Sequence, residues 1–120
     1  MATPAVTFVQ DLPGHTYLHE CTLTTADHTS VPFTLPGASD RSVQFWDGTW
    51  GGATVAIEGS LDRTQTEWFG LTDAQGNAIA KTADGGDSVL ENCLWYRFRL
   101  TTVGTGATVH CRLFSRSTMK

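Results

Sequence analysis

Residues 94–101 read Leu94-Trp95-Tyr96-Arg97-Phe98-Arg99-Leu100-Thr101, and residues 108–114 read Thr108-Val109-His110-Cys111-Arg112-Leu113-Phe114. In the first run Leu94, Tyr96, Phe98 and Leu100 fall on one face of an extended chain. Trp95, Arg97, Arg99 and Thr101 fall on the other. In the second, Val109, Cys111 and Leu113 alternate with His110, Arg112 and Phe114. Successive side chains of a strand point to opposite faces, so period two with an apolar face predicts two half-buried strands. The turn Val103-Gly104-Thr105-Gly106 between them predicts a β-hairpin. Arg112 is then expected on the outer face of the strand next to Trp95, Arg97 and Arg99.

Outward from this stretch the same alternation recurs. Residues 17–24 alternate, as do residues 42–45, with Val43 and Phe45 on one face. In residues 53–58, Val55 and Ile57 point one way and Thr54 and Glu58 the other. Asp73-Ala74-Gln75-Gly76 predicts a second hairpin, a type I turn followed by a bulge. Asp accepts from the backbone ahead of it and Gly tolerates positive φ. It joins residues 67–71 to residues 77–80. Pro13-Gly14, Pro36-Gly37, Asp47-Gly48, Gly51-Gly52 and Asp84-Gly85-Gly86 interrupt the chain. They divide it into about eight or nine short strands. No window carries a helical period. The fold class is therefore all-β, an antiparallel β-sandwich of jelly-roll or immunoglobulin-like type. One domain spans 1–120, with 1–12 an N-terminal arm or an edge strand.

Composition bounds the function. The chain has 120 residues, 40% hydrophobic and 17% charged, with net charge −4. It is too apolar for a disordered tail and too weakly charged for a coiled coil. An acidic chain is a poor ligand for a phosphate backbone, so nucleic acid is not expected as a partner. No run reaches the ~20 apolar residues of a membrane span, and no membrane partner is expected. The start has neither a basic nor an apolar leader segment, so no signal peptide is expected. Cys21, Cys93 and Cys111 are an odd number of cysteines, which argues against a disulfide framework and for buried small hydrophobes.

The search for chemistry returns no catalytic residues, no cofactor and no metal site as expectations. His15, His19 and Cys21 are the best metal candidates, but a closed site needs three or four converging ligands. Ser60 lacks the strand–turn–helix context of a nucleophile elbow. Glu58 and Glu67 flank one turn and are candidates for paired carboxylates, but the solvated faces of strands are the expected place for both. The four tryptophans stand out. Trp50, set among glycines, is expected in a loop, as an interface anchor, as a stacking platform for a sugar, or as a lid over the open end of the core. Trp95 with Arg97, Arg99 and Arg112 has the composition of an interface centre.

Several segments together resemble small head proteins of tailed bacteriophages, the decoration or cement proteins. They are Asp40-Arg41-Ser42-Val43-Gln44; Gly48-Thr49-Trp50-Gly51-Gly52; and Val55-Ala56-Ile57-Glu58-Gly59-Ser60-Leu61-Asp62. Trp68-Phe69-Gly70-Leu71-Thr72-Asp73-Ala74-Gln75-Gly76-Asn77-Ala78-Ile79 and Tyr96-Arg97-Phe98-Arg99-Leu100-Thr101 complete the set. The resemblance spans residues 40 to 115. It implies a virion structural protein with no enzymatic activity, binding the outer capsid shell and stabilising the head. The implied partners are the major capsid protein and further copies of this chain, as a homodimer or homotrimer. Assembly is then expected in the host cytoplasm. Trp50, Trp95, Arg97, Arg99 and Arg112 are the expected interface residues. The alternatives are a carbohydrate-binding β-sandwich module and a low-copy head–tail connector or tail-completion protein.

Overall fold

A computed structural model describes residues 7–12, 16–35 and 40–116. Among them are nine strands and no helix: β1 (Thr7–Leu12), β2 (Thr16–Thr24), β3 (Asp40–Thr49), β4 (Thr54–Ser60), β5 (Phe69–Gly70), β6 (Ala80–Lys81), β7 (Gly85–Ser88), β8 (Trp95–Thr102) and β9 (Thr108–Arg116). They form two antiparallel sheets. The first has the order β1-β2-β9-β3-β7. In the second, β4 is central, with β8 on one side and the short β5 and β6 on the other. Residues 28–33 run along the free side of β8 through bridges Thr29–Arg99 and Phe33–Tyr96. Within that run, Ser30 Oγ accepts a hydrogen bond from the Phe98 amide at 2.9 Å, so a side chain completes part of the ladder. Residues 7–12 are the edge strand of the first sheet. Pro13-Gly14, Pro36-Gly37 and residues 1–6 lie outside the described residues.

The inner faces meet as the alternation demands. Leu23, Val43, Phe45, Val109, Cys111 and Leu113 of the first sheet are buried, as are Val55, Ile57, Tyr96, Phe98 and Leu100 of the second. Phe98 sits at the centre. Its ring lies 5.5 Å from that of Phe33 and 6.2 Å, edge to face, from that of Phe45.

The expected β8–β9 hairpin does not form. β8 pairs with β4, and β9 lies between β2 and β3 in the opposite sheet. Both runs carry one apolar stripe. Crossing between layers turns those stripes against each other across the core. The glycine-rich turn bonds to neighbouring loops instead of to itself. Thr105 N donates to Gly51 O at 3.0 Å, and Ala107 N donates to Thr25 Oγ1 at 2.8 Å. Gly51 has φ 52°, and a Cβ there would sit 2.1 Å from Thr105 O, so only glycine allows this approach. Leu94 is a second correction, since it is exposed ahead of β8. The inward place beyond Tyr96 is taken by Cys93, packed so closely that a Cβ on Gly59 would meet its sulfur at 2.4 Å.

The second hairpin turn forms as read. Asp73 Oδ1 accepts from Gln75 N (2.9 Å) and Asn77 N (3.0 Å), and Gly76 has φ 83°. Beyond Leu71 and Ile79 the arms separate. Phe69–Gly70 pairs with Glu58 and Gly59, while Ala80–Lys81 pairs with Val55 and Ala56. Both arms satisfy their backbone groups on the same edge of β4, so they do not continue as a ladder of their own.

Candidate interaction faces

The β4–β8 register sets Glu58 opposite Arg97 on the outer face of the second sheet. Glu58 is only 8% exposed although it faces outward. Arg97 approaches Oε1 through Nε and Nη2, both at 2.8 Å, and Arg99 Nη1 reaches Oε2 at 3.2 Å. The Arg97 guanidinium lies 4.1 Å above the Trp68 ring, a cation–π stack. Trp68 is itself held by a 2.8 Å hydrogen bond from Nε1 to Gln65 O. One carboxylate against two guanidiniums leaves this cluster with net positive charge. Trp95, opposite Ser60, is half-buried on the same face. Leu61, Phe69 and Leu94, all exposed, lie at that end of the sheet.

The outer face of the first sheet carries a second arginine–tryptophan stack. Arg112 lies 3.7 Å over the Trp46 ring, and its Nη1 is 3.5 Å from Glu20 Oε2. The His110 ring is 5.4 Å from Trp46, and its Nδ1 is 3.0 Å from Thr22 Oγ1. Arg116 and Asp40 pair at 2.7 Å at the end of the same face.

The five expected interface residues therefore fall in three places. Trp95, Arg97 and Arg99 stand together on one outer face. Arg112 is on the opposite outer face, because β9 belongs to the other sheet. Trp50 is at neither: it packs against the core at one end, and its Nε1 donates to Asp84 Oδ1 at 2.9 Å. Sequence reading missed Trp46, Trp68, Glu20 and Glu58 as partners of these arginines. A signal existed for Glu58, a carboxylate in a strand beside apolar residues, but its partners depend on pairing that sequence does not state. Asp84, read only as a chain breaker, carried no signal as the acceptor for Trp50.

The other chemical candidates resolve individually. Glu58 directs both oxygens to arginines, and Glu67 is exposed. Ser60 is buried, with Oγ accepting from Asp62 N at 3.0 Å. Buried Arg41 lines a cavity of about 290 Å³ but turns toward the loop that follows β7, donating to Asn92 Oδ1 at 2.5 Å and Leu90 O at 3.1 Å. Burial, with the Glu91 charge adding to it, pushes the Cys93 thiol up. His15 lies outside the described residues. His19 and Cys21 do share the inner face of β2. His19 stacks on Phe33 at 5.0 Å, and no group of three potential ligands stands together among the described residues.

Burial holds the His19 imidazole below its ordinary value of 6.5. The unfolded chain then binds this proton more readily than the folded one. Stability is unaffected above pH 6.5 and falls as pH drops below it. Urea midpoints measured between pH 7.5 and pH 5 are expected to decline, and His19→Gln is expected to flatten that decline. An equal slope in the variant would assign the pH dependence to other groups.

No family model, curated protein or solved structure matches this chain. Among the described residues no helix is long and apolar enough to cross a membrane.

Proposed function

We propose that this chain is a decoration protein of a tailed-phage capsid, a jelly-roll sandwich that binds the outer shell and stabilises the head. Its role in this reading is binding and not catalysis. Its partners are the major capsid protein and further copies of itself in a symmetric dimer or trimer. One observation carries the reading: the order in which the chain visits the two sheets. β2, β9, β3 and β7 are neighbours in one layer, and residues 28–33, β8, β4 and the β5/β6 edge are neighbours in the other. Between consecutive runs the chain changes layer, except from β1 to β2 and from β4 to β5 and β6. That connectivity supports a double Greek key, the jelly-roll arrangement used by viral capsid domains and lectins.

Architecture alone hosts several functions. The resemblance over residues 40 to 115 directs the choice to the virion. The Arg97–Trp68 stack also favours a protein partner over a sugar, because the guanidinium already occupies one face of the ring. Arginine and tryptophan, fixed on a rigid sheet, suit a protein interface.

Quantitative mass spectrometry of purified particles from the phage that encodes this chain tests the proposal. The expected result is a copy number in simple proportion to the major shell protein. A handful of copies per particle would place the chain at the portal or tail instead, and absence from particles would overturn the virion reading altogether.

A further inference from the structure

We propose that Cys21 and Cys111 form an oxidation site, a cross-strand dithiol that a peroxide converts to a disulfide joining β2 to β9. This inference concerns the sandwich itself and stands apart from the capsid reading. The two residues are directly opposite in a ladder of nine unbroken pairs, from Thr16–Arg116 to Thr24–Thr108. Both face inward, Cys21 at 8% exposure and Cys111 at 0%. Opposed residues on antiparallel strands have Cβ atoms about 4.5–5.5 Å apart, and a disulfide takes about 3.5–4.5 Å. Closure therefore asks for movement of roughly 1 Å or less, with no change of register. The Cys111 thiol lies 3.8 Å from Val109 O. All three cysteines are free thiols. Cys93, at the far layer beside Gly59, has no cysteine opposite it.

The order of events follows from exposure. Cys21, the less buried, attacks the peroxide as a thiolate. An S–O bond forms, the O–O bond breaks, and the departing hydroxide leaves as water with the proton the thiol gave up. The sulfur is now a sulfenic acid. Cys111 then attacks that sulfur, the S–S bond forms, and the S–O bond breaks as a second water leaves with the Cys111 proton. Two thiols and one peroxide become one disulfide and two waters. Burial, and the neighbouring Cys21 side chain, push the Cys111 thiol well above its ordinary range. The second step is therefore slow, and the pair remains reduced where reductant is present. Once closed, the bond ties together strands from opposite ends of the chain, which restricts the unfolded state most.

The test uses the full chain with Cys93→Ser, which keeps the third thiol out of the reaction. After hydrogen peroxide treatment, the expected result is an intact mass lower by two hydrogens and a linked Cys21–Cys111 peptide on mapping. Tm is expected to rise by about 10 °C and to return on reduction. The same treatment of Cys93→Ser/Cys111→Ala should give neither the mass loss nor the rise. The proposal is overturned if both thiols still alkylate after unfolding or each stops as a separate sulfinic acid. It is likewise overturned if the linked form melts no higher than the reduced one.

Discussion

Phe98→Ala is expected to lower folding stability by about 4 kcal/mol. Phe98 is fully buried at the point where the two sheets and residues 28–33 meet. Its ring touches Phe33 from its own layer and Phe45 from the opposite one. Truncation removes the transfer free energy of the ring and leaves a void between two sheets whose spacing is held by the flanking pairs Val55–Leu100 and Gly59–Tyr96. Those strands cannot close on the gap without breaking register, so little of the loss is recovered. Urea denaturation should show a lower midpoint with an unchanged slope. Phe98→Leu should cost about half as much, because most of the volume remains. A loss below about 1 kcal/mol in the alanine variant would show that the core collapses around the site and that the sheets are less rigidly spaced than the register implies.

Glu58→Ala is expected to cost about 3 kcal/mol, near the lower end for breaking a buried ion pair. The carboxylate is almost wholly covered, and its removal leaves two guanidiniums facing each other. Their exposure limits the damage. The Arg97 side chain is 20% exposed and that of Arg99 is 42% exposed, so water can reach part of each. The same asymmetry orders the reciprocal variants. Arg99→Ala should cost under about 1 kcal/mol, as a half-exposed partner with one contact. Arg97→Ala should cost more, since it also removes the stack over Trp68. Chemical denaturation in low salt and in 1 M NaCl would check this. The Arg99 effect should shrink with salt, and the Glu58 effect should persist because its pair is shielded from the solvent. If Glu58→Ala and Arg99→Ala cost the same, the burial of Glu58 contributes nothing and the cluster behaves as an ordinary surface pair.

The two variants also bear on the proposed function. Arg97 and Glu58 hold the second sheet together as well as facing outward, so a loss of attachment in Arg97→Ala mixes folding with binding. Arg99 reports on attachment more cleanly, because most of its donors are not committed to Glu58.

Local chemistry determined much of this molecule before any tertiary contact. Alternation assigned the inward places of Val43, Phe45, Val55, Ile57, Tyr96, Phe98, Leu100, Val109, Cys111 and Leu113, because a strand's period is two whatever it pairs with. The turn at Asp73–Gly76 was equally legible, since its hydrogen bonds lie within five residues. Partnership was not legible. The run at 94–101 and the run at 108–114 look like the two arms of a hairpin, yet they lie in opposite sheets. A stripe of apolar side chains specifies that something must cover it, not whether the cover is a neighbour in the same layer or the layer beyond. That choice rested on bonds from Thr105 to Gly51 and from Ala107 to Thr25, between segments far apart in sequence. It also decided the candidate faces. Arg112 went to one side of the sandwich and Arg97 and Arg99 to the other. Arg112 found Trp46 and Glu20, and Arg97 found Trp68 and Glu58, on segments that only tertiary pairing could bring alongside.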